Sequence, residues 1–144
     1  LVERCNAVTA ASIRTRDSLR DTEQQIADLA IIGKQIDTYR KLKPVYDRYK
    51  ASKDKEKFLR GFESEIILFE AAAREIQKAG LAKLPSAEKL KAELDGLSAR
   101  KTALQAELRK IQQEEKEYDA LRRNVGTLLG QFLRHKKVIE LELL

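Results

Sequence analysis

The sequence predicts an all-α fold, a long antiparallel coiled-coil helical hairpin with a shorter helical cap. Two long stretches carry apolar residues in alternating steps of four and three, the mark of a helix with a narrow seam. Charged residues make up 36% of the chain, and Ala, Leu, Glu, Lys, Arg and Gln dominate, as in solvated amphipathic helices. Two prolines and six glycines leave little material for the repeated turns of a sheet. At 144 residues the chain has the size of one ordinary domain, but this composition favours rods over a thick core.

The clearest stripe lies in the second half. Leu90, Leu94, Leu97, Leu104, Leu108, Ile111, Tyr118, Val125 and Leu129 share one register and form the expected coiled-coil seam. Lys101, Glu115 and Arg122 fall in the same register. Each can pack its stem while its head reaches solvent or a partner, and such interruptions fix alignment. Ser86, after Pro85, is placed to cap the first turn, and Glu88 suits the positive end of the helix dipole. This helix is expected over 86–130, ending in the region of Gly126 to Gly130.

The first stripe, within 1–52, runs through Leu1, Cys5, Val8, Leu19, Ile26, Leu29 and Ile36, with Ser12, Thr15, Thr22 and Gly33 in the remaining places. Small residues there permit close helix approach but reduce the apolar area buried. The register drifts through Tyr39, Leu42, Tyr46 and Tyr49, and Pro44 predicts a kink, or a helix end and restart, near 44. Between the stripes, 53–80 reads as a shorter aromatic helix or helix pair. There Phe58, Phe62, Ile66, Phe69, Ala73 and Ile76 recur at helical spacing, and Gly80 supplies the stop. Residues 81–85 are a connection that Leu81 and Leu84 can anchor. Residues 131–144, with Phe132, Leu133, Val138, Ile139, Leu141, Leu143 and Leu144 around His135, Lys136 and Lys137, read as a helical extension or a disordered tail. Two helices of about forty residues would each reach roughly 60 Å. A return connection lays them antiparallel within one chain, and pairing between chains competes with that arrangement.

Several function classes find no support. One histidine, His135, and one cysteine, Cys5, cannot build a zinc site or an internal disulfide, so neither a metal nor any other cofactor is expected. No phosphate loop, nucleophile elbow or Cys–His couple is present, and Glu114, Glu115 and Glu117 sit among matching cations on a helix surface. The chain is expected to be non-catalytic. No apolar run approaches the roughly 18 residues of a membrane span, and there is no signal-peptide pattern, so a cytoplasmic location without membrane association is expected. With no methionine and a start at Leu1, the sequence reads as a piece of a longer protein.

The formal charge of +6 is concentrated. Between Arg40 and Lys57 the cations are Arg40, Lys41, Lys43, Arg48, Lys50, Lys53, Lys55 and Lys57, against Asp47, Asp54 and Glu56. Tyr39, Tyr46 and Tyr49 are interleaved with them. Cations beside stacking surfaces are what nucleic-acid binders use, and the eight cations with Tyr46 and Tyr49 form the candidate contact set. The plainer reading is that the tyrosines complete the apolar stripe while the lysines solvate a helix end.

Lys55-Glu56-Lys57-Phe58, Glu63-Ser64-Glu65-Ile66-Ile67-Leu68-Phe69-Glu70-Ala71-Ala72, Lys83-Leu84-Pro85-Ser86 with Glu88-Lys89-Leu90, and Glu117-Tyr118-Asp119 with Asn124-Val125 form an ordered series. Over about residues 20 to 129 it resembles the C-terminal helical region that follows the nuclease domain in relaxase/mobilisation nucleases of Gram-positive plasmids and integrative conjugative elements. The tail after Gly130 departs from that pattern. Such relaxases nick one DNA strand through a tyrosine, with a metal held by a histidine cluster. Neither part is here, so Tyr39, Tyr46, Tyr49 and Tyr118 are not assigned as the nucleophile. The resemblance implies an accessory module, with transfer-origin DNA, a relaxosome accessory or coupling protein, and a second copy of the chain as candidate partners. A purely structural coiled-coil spacer or dimerisation segment is the alternative.

Overall fold

The computed structural model describes residues 2–143, so Leu1 of the first stripe and Leu144 of the tail lie outside the described residues. Three helices account for almost all of it: α1 (Val2–Ala51), α2 (Lys55–Lys78) and α3 (Ala87–Glu142). No strand occurs among the described residues. The chain divides into two compact units, one of Asp21–Lys101 and one of Leu1–Arg20 with Thr102–Leu144. Both α1 and α3 contribute to each.

The Asp21–Lys101 unit has the larger apolar core. Ile36, Ile76 and Leu90, one from each helix, bury together, and Leu29, Ile32, Tyr39 and Leu84 pack on them. Helix α2 contributes a full buried row of Ile66, Phe69, Ala72 and Ile76, spaced by three and four as an amphipathic helix requires. Local signals place the helix ends. The Asp54 carboxylate accepts from the Lys57 N–H at 3.1 Å and caps α2. Gly80, at φ +71°, provides the left-handed residue after α2, with its N–H on the Gln77 carbonyl at 3.0 Å. The Ser86 hydroxyl accepts from the Lys89 N–H at 3.1 Å at the start of α3. Leu84 anchors the intervening loop on the core, whereas Leu81 is 39% exposed.

Two expected features move. Pro44 lies inside α1, and the helix is not interrupted there. A proline within a helix loses one backbone hydrogen bond and crowds the preceding turn, at a cost of about 3 kcal/mol. Here Tyr39 and Tyr46, which flank it in sequence, both stack on Phe69 with ring centroids 4.7 and 4.3 Å away. Packing on both sides of the proline holds the helix together. The departure from helical geometry comes instead in α2, at Phe62 (φ −133°, ψ 26°), directly after Gly61. Likewise α3 passes Gly126 and Gly130 and ends at Glu142. Glycine in a helix costs only about 1 kcal/mol against alanine, too little to stop one alone.

The other unit pairs the start of α1 with α3 along a polar seam. Cys5, Ser12, Thr15 and Ile111 are buried, and Val8, Leu19, Leu104, Leu108 and Tyr118 are half-buried. The charged interruptions of one stripe meet the small residues of the other. Ser12 shares the lining of a cavity of about 220 Å³ with Glu115 and Tyr118, and Cys5 shares that of a smaller one with Arg122. The Ser12 hydroxyl is buried without a hydrogen-bond partner. The third interruption, Lys101, lies in the Asp21–Lys101 unit and faces Glu23 across α1 and α3 at 3.8 Å. From Leu121 onward α3 is exposed: Val125 is 40% and Leu129 56% accessible, and Phe132, Leu133, Val138, Ile139 and Leu141 are also open. Burial along the seam therefore fades beyond Tyr118.

This contrast predicts a stability difference. Ile36→Ala removes a side chain that is 1% exposed and should cost about 2 to 5 kcal/mol in urea unfolding, whereas Leu133→Ala, 60% exposed, should stay within about 0.5 kcal/mol. Equal losses at both positions would contradict the burial pattern.

Candidate functional site

The basic stretch falls at the junction of α1 and α2, where a chain of rings runs through the Asp21–Lys101 unit. Tyr39 and Tyr46 stack on Phe69, Tyr46 meets Tyr49 at 6.0 Å, Tyr49 meets Phe58 at 6.1 Å, and Phe58 stacks on Phe62 at 4.8 Å. Rings at these separations gain from offset stacking beyond their burial. Tyr46 and Tyr49 are thus engaged within the fold and only half-buried, so one face or edge of each stays accessible.

The eight cations separate into two groups. Arg40 donates to the Pro85 carbonyl, Lys41 pairs with Asp37 at 2.9 Å, the Arg48 guanidinium lies 5.5 Å from the Phe62 centroid, and the Lys50 ammonium lies 5.1 Å from that of Tyr46. These are structural contacts, in part cation–π. Lys43, Lys53, Lys55 and Lys57 are exposed and have no ion pair among the described residues.

The position of three of them is informative. Ser52 donates its hydroxyl to the Asp54 carbonyl at 3.1 Å and Asp54 caps α2, so Lys53, Lys55 and Lys57 are held around the N-terminal end of that helix. Unpaired N–H groups and the macrodipole make this end positive, and cations there are unfavourable by some tenths of a kcal/mol each. Local stability does not account for them. The same field adds to their charge and favours an anion outside the protein.

Helix α2 supplies a component that the periodicity of the sequence does not reveal. A groove of about 540 Å³ opens between α1 and α2, lined by Tyr39, Lys43, Tyr46, Asp47, Lys50, Phe69, Glu70, Ala73 and Arg74. Phe69 is legible in the sequence only as part of an apolar stripe, and Arg74 and Glu70 as surface positions. Their signal is the offset from Phe69 and Ala73, which places them on the flanks of the α2 face that meets α1.

The expected coiled-coil seam is distributed between the units. Leu90 and Ile111 are buried, Leu94, Leu97, Leu104, Leu108 and Tyr118 half-buried, and Val125 and Leu129 exposed. Among the described residues no group of three or more His, Cys, Asp and Glu side chains is placed to hold a metal ion, and no helix is long and apolar enough to cross a membrane. No family model, curated protein or solved structure matches this chain.

Because Lys55 and Lys57 oppose the helix dipole, replacing both by Glu should raise stability by about 0.5 to 2 kcal/mol at low salt, an increment that shrinks as salt is added. Urea unfolding at two ionic strengths reads this directly. A loss of stability would show that the lysines make structural contacts.

Proposed function

We propose that this chain is a non-catalytic helical module in which α1 and α3 pair as an antiparallel coiled coil and the α1–α2 junction binds nucleic acid. The observation that carries the binding half is the set Lys43, Lys53, Lys55 and Lys57, four exposed cations without intramolecular counterions, three of them around a helix N-terminus that they do not stabilise. A polyanion that releases condensed counterions on binding is the ligand such a surface suits. The resemblance of the middle segment to relaxases makes transfer-origin DNA the candidate polyanion and conjugative DNA processing the setting. The coiled-coil half is supported by lining residues whose numbers run in opposite senses. In the seam unit Cys5 goes with Arg122, Ser12 with Glu115, and Thr15 with Leu104 and Glu107. In the Asp21–Lys101 unit Glu23 goes with Lys101, and Ile32 and Ile36 with Leu90.

The test is fluorescence anisotropy of labelled oligonucleotides against salt. Each phosphate neutralised on a single strand adds about 0.7 to the steepness of log K against log salt, so reversing the four lysines to Glu should weaken binding and lower that steepness by about 3. Unchanged affinity and slope would remove nucleic acid from the reading.

A second reading, a structural spacer or dimerisation segment, is favoured by the exposed apolar residues of α3 beyond Leu121. It predicts a concentration-dependent oligomer in sedimentation that Leu129→Asp with Phe132→Asp abolishes. A monomer at every concentration would exclude dimerisation.

A further inference from the structure

The groove between α1 and α2 is not built like a simple phosphate-binding surface. Its floor is aromatic: Phe69 is buried, and the half-buried Tyr39 and Tyr46 leave ring surface open to the groove. Ala73, the smallest lining side chain, leaves space above that floor. Lys43, Lys50 and Arg74 stand on the rim together with two carboxylates, Asp47 and Glu70. The carboxylates are the discriminating feature. Against phosphate alone they would be repulsive, and none of the ion pairs among the described residues engages either of them.

We infer that this groove takes an unstacked base of a single-stranded nucleic acid, with the base on the Tyr46 side of the aromatic floor and its flanking phosphates on Lys43, Lys50 and Arg74. The inference rests on the nucleic-acid reading of the neighbouring lysines and narrows it to single strands. Bases in a duplex already stack on one another and pair through their edges, so an aromatic floor offers them nothing. An unpaired base presents both its face and its edge. Asp47 and Glu70 then have a role, because carboxylates accept hydrogen bonds from exocyclic amino groups, as at cytosine N4. Thymine has no such group. The Lys50 ammonium, 5.1 Å from the Tyr46 centroid, is the movable element: its four-carbon stem lets it leave the ring for a phosphate as the base arrives. At about 540 Å³ the groove lies within the roughly 300 to 1,000 Å³ range of small-molecule sites.

The experiment compares a deoxycytidine homopolymer, a thymidine homopolymer and a duplex by anisotropy at one salt concentration, on the full chain and two variants. Tyr46→Ala removes the stacking ring. Ala73→Leu fills the groove while leaving every ring in place, with helical circular dichroism as the check on folding. Both should weaken cytidine-strand binding by about 5- to 150-fold, the value of one base stack, and leave duplex binding unchanged. The unaltered chain should prefer the cytidine strand to the thymidine strand. Oligonucleotide binding that both variants retain in full would overturn the groove while the lysine surface stands. No binding of any oligonucleotide by the unaltered chain would overturn both.

Discussion

The Asp21–Lys101 unit depends on Phe69, the ring with which α2 holds two turns of α1 at once. By stacking on Tyr39 and Tyr46 it bridges the turn that Pro44 deprives of a backbone hydrogen bond, so α1 continues as a helix to Ala51. That continuity determines where the connection to α2 falls, and therefore where Lys53, Lys55 and Lys57 emerge. The same three rings make the groove floor. Fold and candidate site thus share one set of contacts, and the site lies on helices held by packing rather than on a free loop.

The seam between α1 and α3 is governed by a different constraint. A run of small polar residues buries little apolar area and would tolerate several alignments. The bulky charged positions remove that freedom, because each has room only opposite a small residue or an opposite charge: Glu115 beside Ser12, Arg122 beside Cys5, and Lys101 facing Glu23. The Lys101–Glu23 pair is substantially exposed and contributes at most about 1 kcal/mol. Its value is in register. Sliding one helix by a heptad would set charged stems against other seam side chains and leave the small residues facing gaps. The unpartnered Ser12 hydroxyl is a cost carried by this arrangement, since a buried polar atom without a partner is unfavourable.

Much of this is legible in the amino-acid order alone. The stripe from Cys5 to Ile36, including its weak positions Ser12, Thr15, Thr22 and Gly33, is the line of buried and half-buried residues along α1. Gly80 and Ser86 mark the helix ends by rules that depend only on local backbone chemistry. Pro44 misleads because helix propensity registers only the missing hydrogen bond, while the compensating ring, Phe69, arrives from more than twenty positions away. The groove is illegible for the same reason. Tyr46 and Phe69 are ordinary stripe residues in sequence, and only the pairing of α1 with α2 turns them into a floor flanked by Arg74 and Glu70. The basic cluster can be named from sequence but not sorted, since the separation of free lysines from engaged ones follows from side-chain packing.

The ring series also makes the protein an optical instrument for its own junction. The chain has no tryptophan and four tyrosines, so its near-ultraviolet spectrum belongs to tyrosine with minor phenylalanine bands. Tyr39, Tyr46 and Tyr49 all lie in the ladder, in asymmetric contact with Phe58 or Phe69 or with each other, and Tyr118 alone reports from elsewhere. Chiral and emission signals in that region therefore follow the order of the α1–α2 junction. Far-ultraviolet ellipticity follows the helices as a whole. Separation of the two signals on heating or titration would distinguish melting of the junction from melting of the helical seam, without a label.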